Sequence, residues 1–343
     1  MQINSHPIRS FLLYLQVIFF SGAILYLGKT LFIPLFFGLL IAIVMYPICK
    51  WLEGHGWSKP LAITACLLIV TILLASLFAL MVWQLRIFSK DAPAILERLE
   101  ALRQQFQTWL SENIGVTTVI QNNWSEKLAG ALGGILESTF QTTINTLFIL
   151  FLTPVYTALF MYHRKIFVQY LKTITPGQFQ QQLDIILDQT IHTYFNYIKG
   201  MIFVYLIVGI LTSIGHFALG VDHAILFGML CAIMTIIPYV GLVISALLPI
   251  SVVWLETGNI WYPLGVVVVF VFVQYLEANV IFPKVVGTQL HVSTLAMLVA
   301  IIAGGIIWGV AGMVLFIPFA AILKIVSDNI EGWKPINLLL SRK

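Results

Sequence analysis

Long apolar stretches alternate with short polar ones along almost the whole chain. Phe11 to Leu27, Leu31 to about Ile48, Pro60 to Gln84, Thr139 to Tyr162, Lys199 to Leu219 and Asn259 to Phe282 each have the length of one helical membrane crossing, which takes roughly 20 residues. Two further stretches do not. Residues 223–254 and 292–325 number 32 and 34, too long for one crossing and short for two. The first is interrupted by Pro238, Tyr239 and Gly241, the second by Gly304, Gly305, Gly309 and Gly312. A helix broken at membrane depth cannot face lipid, because its freed backbone groups would go unpaired. The pattern predicts an all-α polytopic membrane protein of about eight transmembrane segments, two of them broken. A pair of broken segments is the layout expected of a transporter's binding region.

The polar stretches divide the chain. Residues 1–84 hold three spans, and 85–138 form the one extended region outside the membrane. There Ile95, Leu99, Leu102, Phe106 and Trp109 repeat at 4-3-4-3 spacing behind a cap at Asp91, and Trp124, Leu128 and Leu132 mark a second amphipathic helix. These helices lie on the membrane, on the protein's own spans, or against another subunit. Residues 139–163 hold the fourth span, closed by His163, Arg164 and Lys165. Residues 164–198 form a cytoplasmic amphipathic helix that starts at Thr175-Pro176 and shows Phe179, Leu183, Ile186, Leu187, Ile191 and Tyr194 on one face. Residues 199–326 make a transport domain, and 327–343 a cytoplasmic tail.

Composition agrees. The 343 residues are 60% hydrophobic and 9% charged, against about 25% charged in soluble domains. The net charge of +4 comes without a dense basic block, so no nucleic-acid partner is expected. Cys49, Cys66 and Cys231 stand in or beside apolar runs without metal-ligand spacing and read as buried thiols. Gly22 to Gly28-Lys29-Thr30 has five residues between its glycines where a phosphate-binding loop has four. No zinc-protease or nucleophile motif is found, so neither an enzyme nor a cofactor is expected. Basic loops place both termini in the cytoplasm, as for an inner-membrane protein. Both broken segments then either cross fully or both return to the side they came from. In the second case the fifth span with 223–254 and the seventh with 292–325 are inverted repeats.

Few ionisable residues lie inside spans, so each one counts. Glu277 lies in the seventh span with Gln274 one turn earlier on the same face, while Asn279 points elsewhere. An intramembrane carboxylate binds a cation, carries a proton or hydrogen-bonds a polar solute; it can also simply pair with Lys284. Pro283 and Gly287 end that helix. The glycines of the second broken segment either shape a functional hairpin or pack helices, Gly305 and Gly309 forming a GxxxG contact.

Three blocks carry a family resemblance: Ile236-Ile237-Pro238-Tyr239-Val240-Gly241 with Pro249; Gln274-x-x-Glu277-x-Asn279 with Pro283 and Gly287; and Gly304-Gly305 to Gly309-x-x-Gly312 with Pro318. Their order and spacing over about 200–326 resemble the autoinducer-2 exporter family, the PerM-like permeases. The resemblance implies an eight-helix layout, export of small solutes, sodium–proton antiport in some members, and homo-oligomers. Many members have proline just after the histidine equivalent to His291, where this chain has Val292-Ser293. The expected function is a secondary transporter exporting a small polar solute, an autoinducer-2-like signal or related metabolite, coupled to protons or sodium. A cation–proton antiporter and a non-transporting membrane scaffold are the alternatives. Glu277, Gln274 and Asn279 are the expected coupling or recognition residues. Pro238, Tyr239, Gly241, Gly304, Gly305, Gly309 and Gly312 are expected at the hairpin tips, with Pro283, Gly287 and Pro318 as helix breaks.

Overall fold

A computed structural model describes residues 6–114, 151–287 and 290–341. In chain order the helices are α1 (His6–Leu27), α2 (Lys29–Gly54), α3 (Lys59–Ile114), α4 (151–174), α5 (Gln180–Ala218), α6 (Ala224–Met234) and α7 (Val240–Thr257). There follow α8 (Trp261–Leu276), a π-helical turn (Glu277–Ile281), α9 (Phe282–Val285), α10 (Thr294–Trp308), α11 (Val310–Asn329) and α12 (Lys334–Leu340). Among the described residues six stretches are long and apolar enough to cross a membrane: Lys29–Gly54, Lys59–Gln84, Gly177–Ala218, Val240–Thr257, Trp261–Val285 and Val310–Asn329. The chain is an all-α multi-pass membrane protein.

Two compact units divide the chain. One takes Met1–Leu67, Leu147–Phe195 and Gln289–Lys343; the other takes Leu68–Thr146 and Asn196–Thr288. The first unit contains α2, α10 and α11 around an aromatic core. Phe36 lies 5.7 Å from Trp308 and 5.0 Å from Phe319 by ring centroids, and the Trp308 indole donates to the Leu25 carbonyl at 2.8 Å. On the α4 side, Arg164 pairs with Glu53, donates to Cys49 Sγ at 3.8 Å and covers the Tyr46 ring.

Each broken segment is a helical hairpin. In the second, α10 and α11 approach so closely that a Cβ on Gly312 would lie 1.9 Å from the Gly304 carbonyl oxygen. Nearer the open end Ala320 and Ala321 meet Ala296, Met297 and Ala300, so the arms are antiparallel. In the first, a Cβ on Gly241 would lie 1.7 Å from the Met234 carbonyl oxygen, and Phe227 packs with Val252 and Val253 further down. At its open end His223 Nε2 stands 3.9 Å from Glu256 Oε1. The first arms have 11 and 15 residues, about 16 and 22 Å at 1.5 Å per residue, short of a hydrocarbon core of about 30 Å. Both segments turn back on themselves.

Several local expectations are corrected. Asp91 begins no new helix. Residues 85–90 contain neither glycine nor proline to stop the one before, and α3 runs unbroken to Ile114. The seam from Ile95 to Trp109 therefore lies on α3, with its side chains outside those described; Trp124, Leu128, Leu132 and 139–150 lie outside the described residues. His163, Arg164 and Lys165 do not close α4, which continues to 174 because Arg164 finds Glu53 along the way. Thr175 does not cap the next helix; its hydroxyl donates back to Leu171 at 2.7 Å, and the chain restarts as a 3-10 turn at Gly177–Phe179. The face predicted on α5 is the inward one: Ile186 and Tyr194 are buried, and the Tyr194 hydroxyl donates to the Pro318 carbonyl. Phe179 at its start is exposed. Pro318 breaks nothing and stands inside α11. The close glycine pair is Gly304–Gly312, not Gly305–Gly309: Gly305 faces Met313, while Gly309 forms the turn at φ +62°.

Val292-Ser293 clasp the tail. Val292 bridges to Ser341, the Ser293 amide donates to the Leu340 carbonyl at 2.7 Å, and the Ser293 hydroxyl accepts from the Ala296 amide to cap α10. Gly312→Ala is expected to cost about 2–4 kcal/mol, since backbone and not a movable side chain blocks the methyl. Gly22→Ala, with nothing within 4 Å of the added carbon, is expected to be neutral or to stabilise by up to about 1 kcal/mol. Thermal unfolding of the two detergent-solubilised variants checks the contrast. Arg164→Ala should cost about 1–3 kcal/mol by stranding the half-buried Glu53 carboxylate, and adding Glu53→Gln should recover much of that.

Candidate functional site

The site is built inside the unit that holds α5 to α9. α5 and α8 run antiparallel in close contact, as three glycines show. A Cβ on Gly200 would lie 3.0 Å from the Val285 carbonyl, one on Gly215 would lie 2.3 Å from Val269 Cγ1, and one on Gly265 would lie 3.0 Å from Leu219. Val204, Val208, Cys231, Val273, Ile281 and Val286 form the apolar core between them and α6.

Glu277 opens the π-helical turn. The amide of Phe282 reaches back five residues to its carbonyl rather than four, which widens the helix by one residue. Such bulges recur at functional sites because they re-aim side chains off the regular helical face. Gln274 lies one turn earlier. Glu277 Oε2 and Gln274 Nε2 are both buried without a hydrogen-bond partner. An orphaned buried polar atom costs about 1–3 kcal/mol, so two neighbouring ones form a costly and specific feature. Glu277 also lies within electrostatic reach of Tyr205 on α5 and Cys231 on α6. The Cys231 thiol is flanked by the hydroxyls of Thr212, Thr235 and Ser245, one each from α5, the first hairpin's turn and α7.

The expected pairing with Lys284 is not made: that side chain is exposed on α9, and no ion pair joins it to Glu277 among the described residues. Asn279 points away, exposed, and donates to the Tyr275 carbonyl at 2.9 Å. Pro283 sits in the first turn of α9, and Gly287 at φ +63° ends the helix.

The first hairpin's turn belongs to the same unit. The Val240 amide donates to the Pro238 carbonyl at 2.7 Å across Tyr239, whose φ and ψ are 64° and −52°. This is a γ-turn of the rare hand, strained for a residue with a side chain. Tyr239 itself is exposed. Gly304, Gly305, Gly309 and Gly312 belong to the other unit. The structure therefore brings Glu277 and Gln274 together with the hydroxyls that flank the first hairpin's turn.

Three residues of this pocket escape a reading of the sequence: Tyr205, Thr212 and His216. The available signal is that of Glu277, an ionisable group inside a span. His216 is such a group, on the fifth span, and is buried.

Among the described residues no cluster of His, Cys, Asp and Glu could hold a metal ion. All three cysteines are free and buried. What remains is a group of buried hydrogen-bonding side chains with one carboxylate, in a multi-pass helical protein: the makings of a membrane transporter. Comparison with known proteins supplies the family. The profile described as "AI-2E family transporter" matches residues 13–332, and the chain belongs to that family. It is 25% identical over 315 residues to YrrI of Bacillus subtilis (strain 168), covering 87% of this chain and 86% of that one. It is 23% identical over 317 residues to YhhT of Escherichia coli (strain K12), covering 91% and 88%. Both carry provisional transport-protein names. The AI-2 transport protein TqsA of Escherichia coli (strain K12) is 23% identical over 327 residues, covering 92% and 90%.

Glu277→Gln is expected to melt no lower than the parent chain, because an amide of the same shape is cheaper to bury than an unpartnered carboxyl group. A loss of more than about 2 kcal/mol in thermal unfolding would mean that the carboxyl group has a structural partner instead.

Proposed function

We propose that this protein is an inner-membrane secondary transporter that exports a small polar solute, with the Glu277–Gln274 pocket as its recognition and coupling site. The carrying observation is the pair of buried, unpartnered atoms Glu277 Oε2 and Gln274 Nε2. One is an acceptor and the other a donor, side by side on a π-helical turn, and a hydroxyl- or carbonyl-rich solute satisfies both. Thr212, Thr235 and Ser245 offer neutral hydrogen bonds nearby. The relative named for AI-2 transport supports a compact polar molecule of the autoinducer-2 kind. In this reading both termini are cytoplasmic, the protein works as a homo-oligomer, and protons or sodium drive export. The hairpin tip at Pro238, Tyr239 and Gly241 serves the pocket's own unit, and the tip at Gly304, Gly305, Gly309 and Gly312 belongs to the other, each a turn that can move during transport.

A second reading is favoured by the same carboxyl group: with one buried oxygen left unpaired, it can exchange a proton for a monovalent cation, which makes the protein a cation–proton antiporter. Metabolite profiles of cells and medium separate the two. Cells lacking the protein are expected to accumulate a small polar metabolite, and the parent chain should restore its release at least tenfold better than Glu277→Gln. If Glu277→Gln restores release fully, the site is misassigned. If no metabolite changes while a sodium or potassium gradient drives protons through the purified protein in liposomes, antiport is the function.

A further inference from the structure

α2 and α4 run parallel and close. A Cβ on Gly38 would lie 2.7 Å from Tyr156 Cβ. Further along both helices, Arg164 reaches Glu53 and Cys49. The two helices therefore arrive together at one end of their unit, where the turn after α2 leads into α3 at Lys59. The charge there is one-sided. Residues 46–60 and 160–171 hold four basic side chains, Lys50, Lys59, Arg164 and Lys165, and one acidic side chain, Glu53. Glu53 is already taken by Arg164. Among the described residues no carboxylate pairs with the three lysines. Lys50 and Lys165 are exposed, and Lys59 is half-buried.

Tyrosine rings hold these cations in place. Lys50 Nζ lies 5.8 Å from the Tyr46 ring centroid, and Arg164 Cζ lies 5.3 Å from the same centroid. Lys59 Nζ lies 5.0 Å from the Tyr162 ring centroid and donates to the Tyr162 carbonyl. A ring face attracts a cation without carrying net charge, so each lysine is positioned but not neutralised. Trp51, Trp57 and Tyr162 are exposed beside them. Tryptophan and tyrosine in such a belt sit at the depth of the lipid headgroups. On the apolar side of the belt, Val155 and Leu159 are exposed on α4 and share a helix face with Tyr162, at spacings of four and three residues. Unneutralised cations thus stand at headgroup depth above an apolar stripe.

We propose that this end of α2, α3 and α4 is a binding site for one anionic glycerophospholipid, its phosphate held by Lys50 and Lys59 and an acyl chain lying along Val155 and Leu159. Basic groups at a helix end attract anionic headgroups, and here two of them are fixed in position by Tyr46 and Tyr162. A zwitterionic lipid fits less well. It brings its own cation, and the one acid that could receive that cation is engaged by Arg164. The bound lipid ties the start of α3 to α2 and α4. The site belongs to the unit of α2 and α4, whereas Glu277 belongs to the other.

The test uses the full chain, delipidated in a neutral detergent and titrated with short-chain phosphatidylglycerol or phosphatidylcholine. Native mass spectrometry counts the bound lipid, and thermal unfolding follows its effect. The parent chain is expected to retain phosphatidylglycerol and to melt higher with it, and to do neither with phosphatidylcholine. Lys50→Gln and Lys59→Gln should each weaken phosphatidylglycerol binding about fivefold, and the pair together about 30-fold, in line with the usual attraction of one lysine at a charged membrane surface. Lys50→Gln changes an exposed side chain, so it should melt like the parent in the absence of lipid. Lys50→Arg with Lys59→Arg keeps the charge and should keep the binding, as should Lys334→Gln, which removes an exposed lysine of the tail. Equal binding of the two lipids overturns the site, and so does undiminished phosphatidylglycerol binding by the glutamine pair. Displacement of phosphatidylglycerol by millimolar inorganic phosphate also overturns it, because the cations would then serve a soluble anion.

Discussion

A backbone carbonyl at membrane depth has no water to turn to, and most of this structure answers that constraint. Unbroken helices satisfy it along their own length. The two hairpins cannot, because each needs a turn in the middle of an apolar run. They meet it by pressing backbone against backbone, Gly312 on Gly304 in one and Gly241 on Met234 in the other. Only a residue without a Cβ permits that approach. The glycines are thus what allows a chain this apolar to change direction inside its own solvent.

The same constraint makes the exceptions informative. In lipid-facing protein an unpaired polar atom has no cheap escape, so each one is a candidate for a ligand or a proton. Glu277, Gln274, Thr212 and His216 all leave such an atom, and all belong to the unit of α5 to α9. The π-helical turn at Glu277 and the γ-turn at Tyr239 place backbone strain in that unit as well. Strain and unpaired atoms thus gather in one packed unit, the observation on which the proposed site rests.

The other unit shows the opposite economy. Apart from the buried Gln182 Oε1, polar groups find partners there: Arg164 with Glu53, Lys324 with Asp328, Asn337 with Asp328, and Tyr194 with the Pro318 carbonyl. Its aromatic core around Trp308 is interlocked, and Val292-Ser293 fasten the tail to the mouth of the second hairpin.

The sequence by itself determined the membrane class, the eight apolar segments, the two broken ones and the carboxylate inside the seventh, because span length and charge exclusion are properties of local composition. It also carried the family, through three blocks of proline, glycine and polar residues at fixed spacing. Boundaries such as the end of α3 were beyond it: a cap signal at Asp91 counts only where the preceding helix has stopped, and the ladder of hydrogen bonds had not. Tertiary structure alone decided that Gly304 pairs with Gly312, that each broken segment folds back, and that the hydroxyls of Thr212, Thr235 and Ser245 gather at Cys231. Those facts depend on which faces of distant helices meet, and helical periodicity says which residues share a face without saying what that face will touch.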